Sequence, residues 1–528
     1  MKRTVLDNSN IVESYPGLTL PLSYSFIQIA YSGVFKGIIG ANLRDDETLD
    51  KYAYVFRNMI DIYNGRVYYN INNWYSILDF LPFSKRITPI WQDMMGVKER
   101  EIIAEPLHKF SRLKKAALSL RIIRSFFHVT RDMTRLEKDF LAAGNHFNQS
   151  WREDLTIEEL IALFHDLERM ILNKWHVTLM NDMYAFVWTG LLKRKMTRRG
   201  VDIAASISNI SGIESLKPVK ALLHLAKDYG DRENLLSIPE VKEYLDLYGD
   251  RYAEELKLES DTFRECPALL EEQIRIYAAD KDKLSSMIES LEGTNPILAN
   301  GIIAKRAKIG IKNREISRLN RSRLYGMVRR IFKSIGRQVF GDKWRDIFYL
   351  TVDEIFAHRF DLGLIESRKR EYAKYAQLPV CNRIILQDGV PVDSMQSVSD
   401  NQTGGNTVIH DEVPVDSVAN SVTSAALTGT GTSPGCVMGQ AVVLTYPDID
   451  TDVTDKIIVT KTTDPGWVFL MCRAKAIVAE KGSIMSHTSI VARELGIPAV
   501  VGVENASGLI RTGDTLRVDA DAGRVEIV

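Results

Sequence analysis

His487 stands where a histidine can carry a phosphoryl group. Ser486 and Thr488 flank it, a loop with Gly482 precedes it, and a short helix is predicted over 488–495. The first turn of a helix presents unpaired amides and the positive end of the helix dipole, and both attract anions. Neutral imidazole is also nucleophilic near pH 7. The segment therefore predicts a phosphate-carrying histidine at a helix N-terminus.

The same segment supplies candidate phosphate-binding groups. These are Gly482, the hydroxyls of Ser486, Thr488 and Ser489, and the backbone amides of 488–491. The alternative for a lone histidine is a side chain that bonds a loop carbonyl. The nine histidines show no H-x-x-x-H or H-E-x-x-H pattern, so no metal site is predicted.

A row of arginines is the second candidate for phosphate chemistry. Arg314, Arg318 and Arg321 are spaced by four and three residues, which places them on one face of a helix, whereas Arg323 lies off that face. Guanidinium groups in a row can clamp a transferring phosphoryl group and neutralise its charge. The alternative is a solvated basic face that pairs with acids such as Glu315.

Three regions with different patterns position these residues. Residues 1–386 have apolar residues at helical spacing and few prolines or glycines, which predicts a large, mostly α-helical domain. Residues 387–428 contain six acids and no lysine or arginine, which favours a flexible linker; alternating valines leave a β-hairpin as the alternative. Residues 429–528 alternate short β-rich runs with glycines, which predicts a small α/β domain.

Helix boundaries are clearest in the first region. Helical periodicity is strong over 107–127, 155–175 and 322–340, and Thr156 followed by Glu159 predicts a capping box. The predicted architecture is therefore multidomain, with a helical domain that precedes a small domain bearing His487.

Composition narrows the class of protein. Hydrophobic residues make up 45% and charged residues 26% of the 528 residues, as in ordinary globular proteins. There is no run of 18 apolar residues and no secretory signal. We therefore expect no membrane span, and we expect the protein to be cytoplasmic. Four scattered cysteines suit reduced thiols. Nucleic acid is not an expected partner, because no basic block with interleaved aromatics occurs.

The C-terminal region resembles the phosphohistidine swivelling domain of the PEP-utilising enzymes. The matching pieces are GTGTSPGCVMGQA (429–441), TDPGW (463–467) and the long motif from Gly482 through Ser486-His487 to IVARELGIPAVVGV, which ends at residue 503. The resemblance implies that His487 carries phosphate between a donor site and an acceptor site. Ser483 stands where the family often has glycine.

The helical region resembles the central domain of rifampin phosphotransferase and PEP-synthase-like proteins, at lower specificity. The matching segments are SNIVESYPGLTLPLSYSF (9–26), GRVYYNINNWY (65–75), 312–336 and 346–355. In that family the helical domain binds the acceptor, so the resemblance implies that Arg314 and Arg318 face the phosphoryl group there.

The resemblance also implies what lies outside the chain. Neither a glycine-rich phosphate loop nor a segment after residue 528 for the family's PEP/pyruvate barrel is found. The expectation is one subunit of a split phosphotransferase. A separate ATP-grasp subunit, with ATP and Mg²⁺, would phosphorylate His487. A small hydroxyl or enol acceptor would then receive the phosphate, and this acceptor would be aromatic if the chain resembles the subunit of the phenol-phosphorylating synthase. The alternative is a carrier or regulatory protein that hands phosphate to another protein.

Overall fold

The computed structural model describes residues 3–8, 11–80, 88, 92, 111–198, 216–252, 254–279, 281–292, 301–393, 426–448, 451–463, 467–482 and 486–528. Its first part is mostly helical. The helices of this part are α1 (Pro21–Leu43), α2 (Asp46–Lys51), α3 (Ala53–Arg57), α4 (Ile71–Ser76), α5 (Arg112–Ser150), α6 (Ile157–Met170), α7 (His176–Thr197), α8 (Lys217–Tyr229), α9 (Pro239–Tyr248), α10 (Pro267–Ala278), α11 (Lys281–Glu292), α12 (Ile302–Phe340), α13 (Val352–Phe356) and α14 (Leu362–Tyr375).

A small antiparallel sheet joins the two ends of the helical part. Its strands are β1 (Arg3–Asp7), β2 (Ile60–Tyr63), β3 (Arg66–Asn70), β4 (Arg383–Gln387) and β5 (Val390–Asp393), in the order β2-β3-β1-β4-β5. Strand β1 pairs with β4 over five residues, from Arg3 opposite Gln387 to Asp7 opposite Arg383. The sequence pattern did not predict this sheet, whose central pairings of β1 with β3 and with β4 join segments far apart in the chain, whereas β2-β3 and β4-β5 are local hairpins.

The long helix α12 organises the core. Its side chains between Leu324 and Ile335 pack into one apolar cluster with α1, α5, α6 and α7. The helix predicted over 322–340 is its second half, and the helix predicted over 155–175 is α6 followed by a 3₁₀ turn at Leu172–Lys174. The capping box at Thr156 is confirmed. Of the helix predicted over 107–127, residues 107–110 lie outside the described part.

Gly310 allows α12 and α7 to cross closely. A Cβ atom at residue 310 would lie 2.8 Å from the Ala185 Cα. We expect Gly310→Ala to lower the free energy of unfolding by about 1–3 kcal/mol, because backbone must move to make room. Gly190→Ala on α7 is the matched control, since its Cβ would meet nothing within 4 Å. Denaturant unfolding should separate the two variants, and equal stabilities would contradict this crossing.

The C-terminal part forms a separate α/β layer. Its strands are β6 (Leu427–Thr428), β7 (Thr430–Ser433), β8 (Cys436–Leu444), β9 (Ile457–Thr460), β10 (Ala476–Ala479), β11 (Ala499–Val501), β12 (Thr515–Asp519) and β13 (Arg524–Ile527), and its helices are α15 (Val468–Met471), α16 (His487–Leu495) and α17 (Ala506–Leu509). The sheet order is β6-β13-β12-β8-β9-β10-β11-β7. Strands β8, β9, β10 and β11 are parallel neighbours. The short β-rich runs predicted in residues 429–528 are strands of this sheet.

The predicted linker contributes strand at both ends. Residues 390–393 form β5 against β4, so the linker's first residues belong to the first sheet, and 427–428 form β6 of the second sheet. Residues 394–425 lie outside the described part, so the flexible linker stays a prediction. Separately, within the described ranges no helix is long and apolar enough to cross a membrane.

Candidate functional site

His487 is the first residue of α16, directly after its N-cap. Ser486 has extended backbone angles (φ −66°, ψ 161°), and its Oγ accepts a hydrogen bond from the Ser489 amide at 3.3 Å. Gly496 ends the helix in the left-handed conformation at φ 67°. The helix predicted from sequence is therefore present, and the imidazole lies in its first turn, where the dipole is positive.

The predicted phosphate-binding residues surround His487 but are engaged in local bonds. Ser486 Oγ also contacts Ser489 Oγ at 3.0 Å, and Thr488 Oγ1 pairs with Thr463 Oγ1 at 2.6 Å. The Ile490 amide donates to the Ser486 carbonyl, as the Ser489 amide does to the Ser486 hydroxyl. Of the amides of 488–491 that the sequence offers to a phosphate, those of Ser489 and Ile490 are thus engaged within the helix in this state.

Gly482 and the TDPGW segment also bear on this loop. Gly482 has φ +132°, and a Cβ there would approach Ser486 Oγ to 3.0 Å, so glycine is required for the close approach. Residues 464–466 and 483–485 lie outside the described part, which leaves the Asp-Pro-Gly turn and Ser483 without a structural account. Arg493 donates to the Thr432 carbonyl at 3.3 Å and is 8% exposed.

The His487 side chain is buried against the helical part of the chain. It is 3% exposed, and neither ring nitrogen has a hydrogen-bond partner among the described residues. Buried polar atoms without partners are rare and costly, and they occur where a ligand or a reacting group supplies the missing contact. The ring nitrogens of His487 are therefore available to a group other than the described residues.

Burial and the positive charges of three arginines in the helical part lower the pKa of the His487 imidazole. Burial lowers the pKa of His487 well below its usual value, and the positive charges of Arg318, Arg251 and Arg314 lower it further. His487 is thus neutral at pH 7 in this state, which is the nucleophilic form. The same three charges would stabilise a phosphoryl group on the ring.

Helix α12 presents Arg314 and Arg318 to this site, as their spacing predicts. Arg314 Nε lies 3.4 Å from Asp182 Oδ1, and its guanidinium covers the Phe186 ring at 5.7 Å. An Arg318 amino group lies 3.2 Å from Glu315 Oε1, and Glu315 is fully buried. The structure brings both arginines together with His487; their part in phosphoryl transfer stays a prediction.

Arg251 is a site residue that the sequence did not reveal. It follows α9, and its guanidinium lies 2.9 Å from Glu255 Oε1 and donates to Ser322 Oγ at 3.0 Å. Glu255 is 2% exposed, and burial raises its pKa despite the charge of Arg251. No motif or periodicity marks Arg251, because only the packing of its loop on α12 brings it near His487.

The small domain is docked on the helical part through buried contacts. Tyr277 donates from its hydroxyl to the Phe469 carbonyl at 2.5 Å, and the Phe263 and Phe469 rings lie 5.5 Å apart, edge to face. Helices α15 and α16 share one apolar cluster with α8, α10 and α11. This docking explains why His487 is buried.

An aromatic cavity opens beside the arginines. Its volume is about 170 Å³, and Arg314, which acts on His487, lies in its wall. The aromatic part of its lining includes Tyr15, Phe26, Tyr31, Tyr69, Trp74 and Tyr325, and the charged part comprises Asp182, Arg314 and Arg321. Glu13 is a further buried carboxyl near Arg314 and Arg318, and burial raises its pKa although both guanidiniums oppose this.

A larger groove of about 700 Å³ lies on the opposite face of α12. Its wall includes Arg323 and Arg330, which are about half a helical turn away from Arg314 around the helix axis. Its charges are already engaged; Arg264 Nε, for example, lies 2.9 Å from Asp250 Oδ1. Arg314 thus links the aromatic cavity, and not this groove, to the surroundings of His487.

The pKa of His487 predicts pH-dependent docking. The docked imidazole resists protonation, whereas the undocked ring has an ordinary pKa near 6.5. Docking is therefore favoured above that pH and should weaken by up to about tenfold per unit as the pH falls below it. Small-angle scattering between pH 5 and 8 measures the docked fraction. Since Glu13 and Glu255 also titrate abnormally, His487→Asn is the comparison; an identical pH profile in that variant would contradict the assignment.

Comparison with known proteins agrees with this geometry. Residues 453–523 match the family described as PEP-utilising enzyme, mobile domain. Rifampicin phosphotransferase of Bacillus subtilis strain 168 is 35% identical over 219 residues, which cover 38% of this chain and 22% of that protein. Rifampicin phosphotransferase of a Streptomyces species is 28% identical over 348 residues, or 59% of this chain and 38% of that protein.

A third relative matches in a shorter region. The probable phosphoenolpyruvate synthase of Staphylothermus marinus is 44% identical over 100 residues, which cover 18% of this chain and 12% of that protein. The chain spans well under half the length of each of these three relatives. The resemblance inferred from the sequence is confirmed: the C-terminal part of this chain carries the mobile domain of the PEP-utilising enzymes, and the chain is related to rifampicin phosphotransferases and phosphoenolpyruvate synthases.

Proposed function

We propose that this chain is a phosphotransferase subunit that carries a phosphoryl group on His487 to a small hydroxyl or enol acceptor in the helical part. One observation carries the proposal. His487 is neutral and buried and has no hydrogen-bond partner among the described residues, and the charges of three arginines act on it, one of which lines an aromatic cavity. The names of the rifampicin phosphotransferases support phosphoryl transfer as the reaction class.

In the docked state, His487 would pass its phosphoryl group to the acceptor. The acceptor oxygen forms a bond to phosphorus while the bond between phosphorus and the imidazole nitrogen breaks. The hydroxyl proton replaces phosphorus on the ring, so that His487 leaves as neutral imidazole. Arg251, Arg314 and Arg318 neutralise the charge on the equatorial oxygens, and the buried carboxyl of Glu13 is our candidate for relaying the proton.

Phosphorylation of His487 by a donor would require another arrangement of the same chain. Because His487 is 3% exposed when docked, no second protein can reach the ring in this state. We propose that the small domain undocks, that a separate ATP-grasp subunit with ATP and Mg²⁺ phosphorylates His487 there, and that redocking delivers the phosphate. Carrying one group between two fixed sites replaces a bimolecular encounter with a positioned one.

The experiment is a label-and-chase measurement. The chain is incubated with an ATP-grasp protein encoded beside it, Mg²⁺ and ATP labelled in its β and γ phosphoryl groups. We expect an acid-labile label on the chain, and a small hydroxyl compound added as a chase should acquire it. If label leaves only when another protein is added, the chain is a phosphocarrier instead. If the chain never acquires label from any candidate donor, the proposal is wrong.

A further inference from the structure

Arg321 differs from the other arginines of the site. Arg314, Arg318 and Arg251 each lie within 3.4 Å of a carboxylate oxygen. Arg321 lines the aromatic cavity, yet it forms no ion pair with any described residue, and its Nε is buried without a hydrogen-bond partner. The cavity therefore contains a cation that the described residues leave unpaired.

The surroundings keep this cation charged. Burial alone would lower the pKa of Arg321, but the neighbouring Tyr15, Tyr325 and Tyr31 hydroxyls and Glu255 raise it. The Tyr15 and Tyr325 hydroxyls bond each other at 2.9 Å, and Glu255 is bound to Arg251. A partly buried charge that no described residue pairs with, and whose Nε is buried without a hydrogen bond, is costly to the fold, so we infer a bound anion as its partner.

Arg321 is not at the phosphoryl end of the cavity. It lies seven residues after Arg314 on the same face of α12, which is about 10 Å along the helix axis. Arg314 is among the charges that lower the pKa of His487, whereas Arg321 is not. The cavity thus has two cations, Arg314, whose charge lowers the pKa of His487, and Arg321, which is not among the charges that do so.

The cavity also limits the size of the ligand. Sites for drug-sized molecules have volumes of about 300–1,000 Å³, whereas a cavity of about 150 Å³ accommodates benzene. The volume of about 170 Å³ and the aromatic walls suit a single ring and exclude a macrocycle in this state. This separates the chain from its relatives named for rifampicin.

We propose that the acceptor is a single-ring aromatic hydroxy acid, whose carboxylate binds Arg321 and whose hydroxyl points toward Arg314 and His487. The proposal rests on the proposed function and narrows its substrate class. Charged hydrogen bonds to Arg321 would fix the ring between the aromatic walls and leave the hydroxyl as the group that His487 phosphorylates.

Calorimetric titration of the full chain tests the proposal with 3- and 4-hydroxybenzoate, their methyl esters and rifampicin. We expect one of the acids to bind about 10- to 100-fold more tightly than its ester. Arg321→Met should remove that difference and leave ester binding unchanged. Arg321→Lys should retain part of it. Arg323→Met, on the opposite face of α12, is the matched control and should bind like the wild type.

Stability distinguishes this role from a structural one. Because Arg321→Met removes an unpaired buried charge, we expect its melting temperature to equal or exceed that of the wild type. Equal affinity for acid and ester, no binding of either acid, or unchanged acid binding in Arg321→Met would overturn the inference. Labelling of His487 is measured separately. The proposed substrate class can therefore be wrong while the phosphotransferase proposal holds, and the phosphotransferase proposal can be wrong while an aromatic hydroxy acid still binds.

Discussion

Replacing His487 with glutamine should abolish phosphorylation of the chain and every turnover that depends on it. Glutamine cannot form a phosphoramidate of comparable reactivity, while it retains a polar side chain of moderate size in the first turn of α16. The expected result is complete loss of acid-labile label in the presence of the donor protein, with an unchanged circular dichroism spectrum. Phosphopeptide mapping of the wild type should place the label on the peptide that contains His487.

A surface histidine supplies the control for this experiment. His165 lies on α6, half-exposed, with its Nδ1 3.0 Å from Glu168 Oε2. His165→Gln should therefore label normally. Label that persists in His487→Gln at the wild-type level would exclude His487 as the carrier.

Replacing Arg314 or Arg318 with methionine should slow the transfer of phosphate to the acceptor by about 100- to 1,000-fold, the loss typical of one removed charge-stabilising group. Phosphorylation of His487 should continue, because the donor step takes place when the small domain is undocked. Single-turnover chase of labelled protein measures transfer separately from labelling. Methionine preserves most of the apolar volume of each stem.

Two outcomes would contradict this second prediction. If labelling and transfer fall together, the arginines act on folding or on the donor step. If transfer is unchanged, they form only the structural pairs with Asp182 and Glu315. Arg323→Met is again the control, since Arg323 binds the Leu247 carbonyl at 3.3 Å on the other face of α12.

Local features were predictable from the sequence, and long-range ones were not. The capping box at Thr156, the N-terminus of α16 at His487 and the shared face of Arg314 and Arg318 depend on neighbours within one or two helical turns. Such features follow from residue type and spacing. The approach of Arg251 to the histidine depends on how distant segments pack, so no local pattern could reveal it.

The pairing of β1 with β4 was not predicted from the sequence for the same reason. Strand β1 is short, and its partner β4 lies nearly at the other end of the helical part. The unpaired state of Arg321 was also beyond sequence reasoning, because Glu255, the carboxyl that acts on it, binds Arg251 instead.

The three arginines around His487 make docking and phosphorylation mutually dependent. A phosphohistidine adds negative charge beside three arginines, which neutral imidazole does not attract, so phosphate on the ring should tighten docking. By thermodynamic reciprocity, docking must stabilise the phosphorylated form of His487 by the same factor. Once the acceptor has taken the phosphate, the stabilisation of the docked state by the phosphate is lost and the small domain is released. The direction of each swing would thus be set by the charge on one side chain, with no separate signal required.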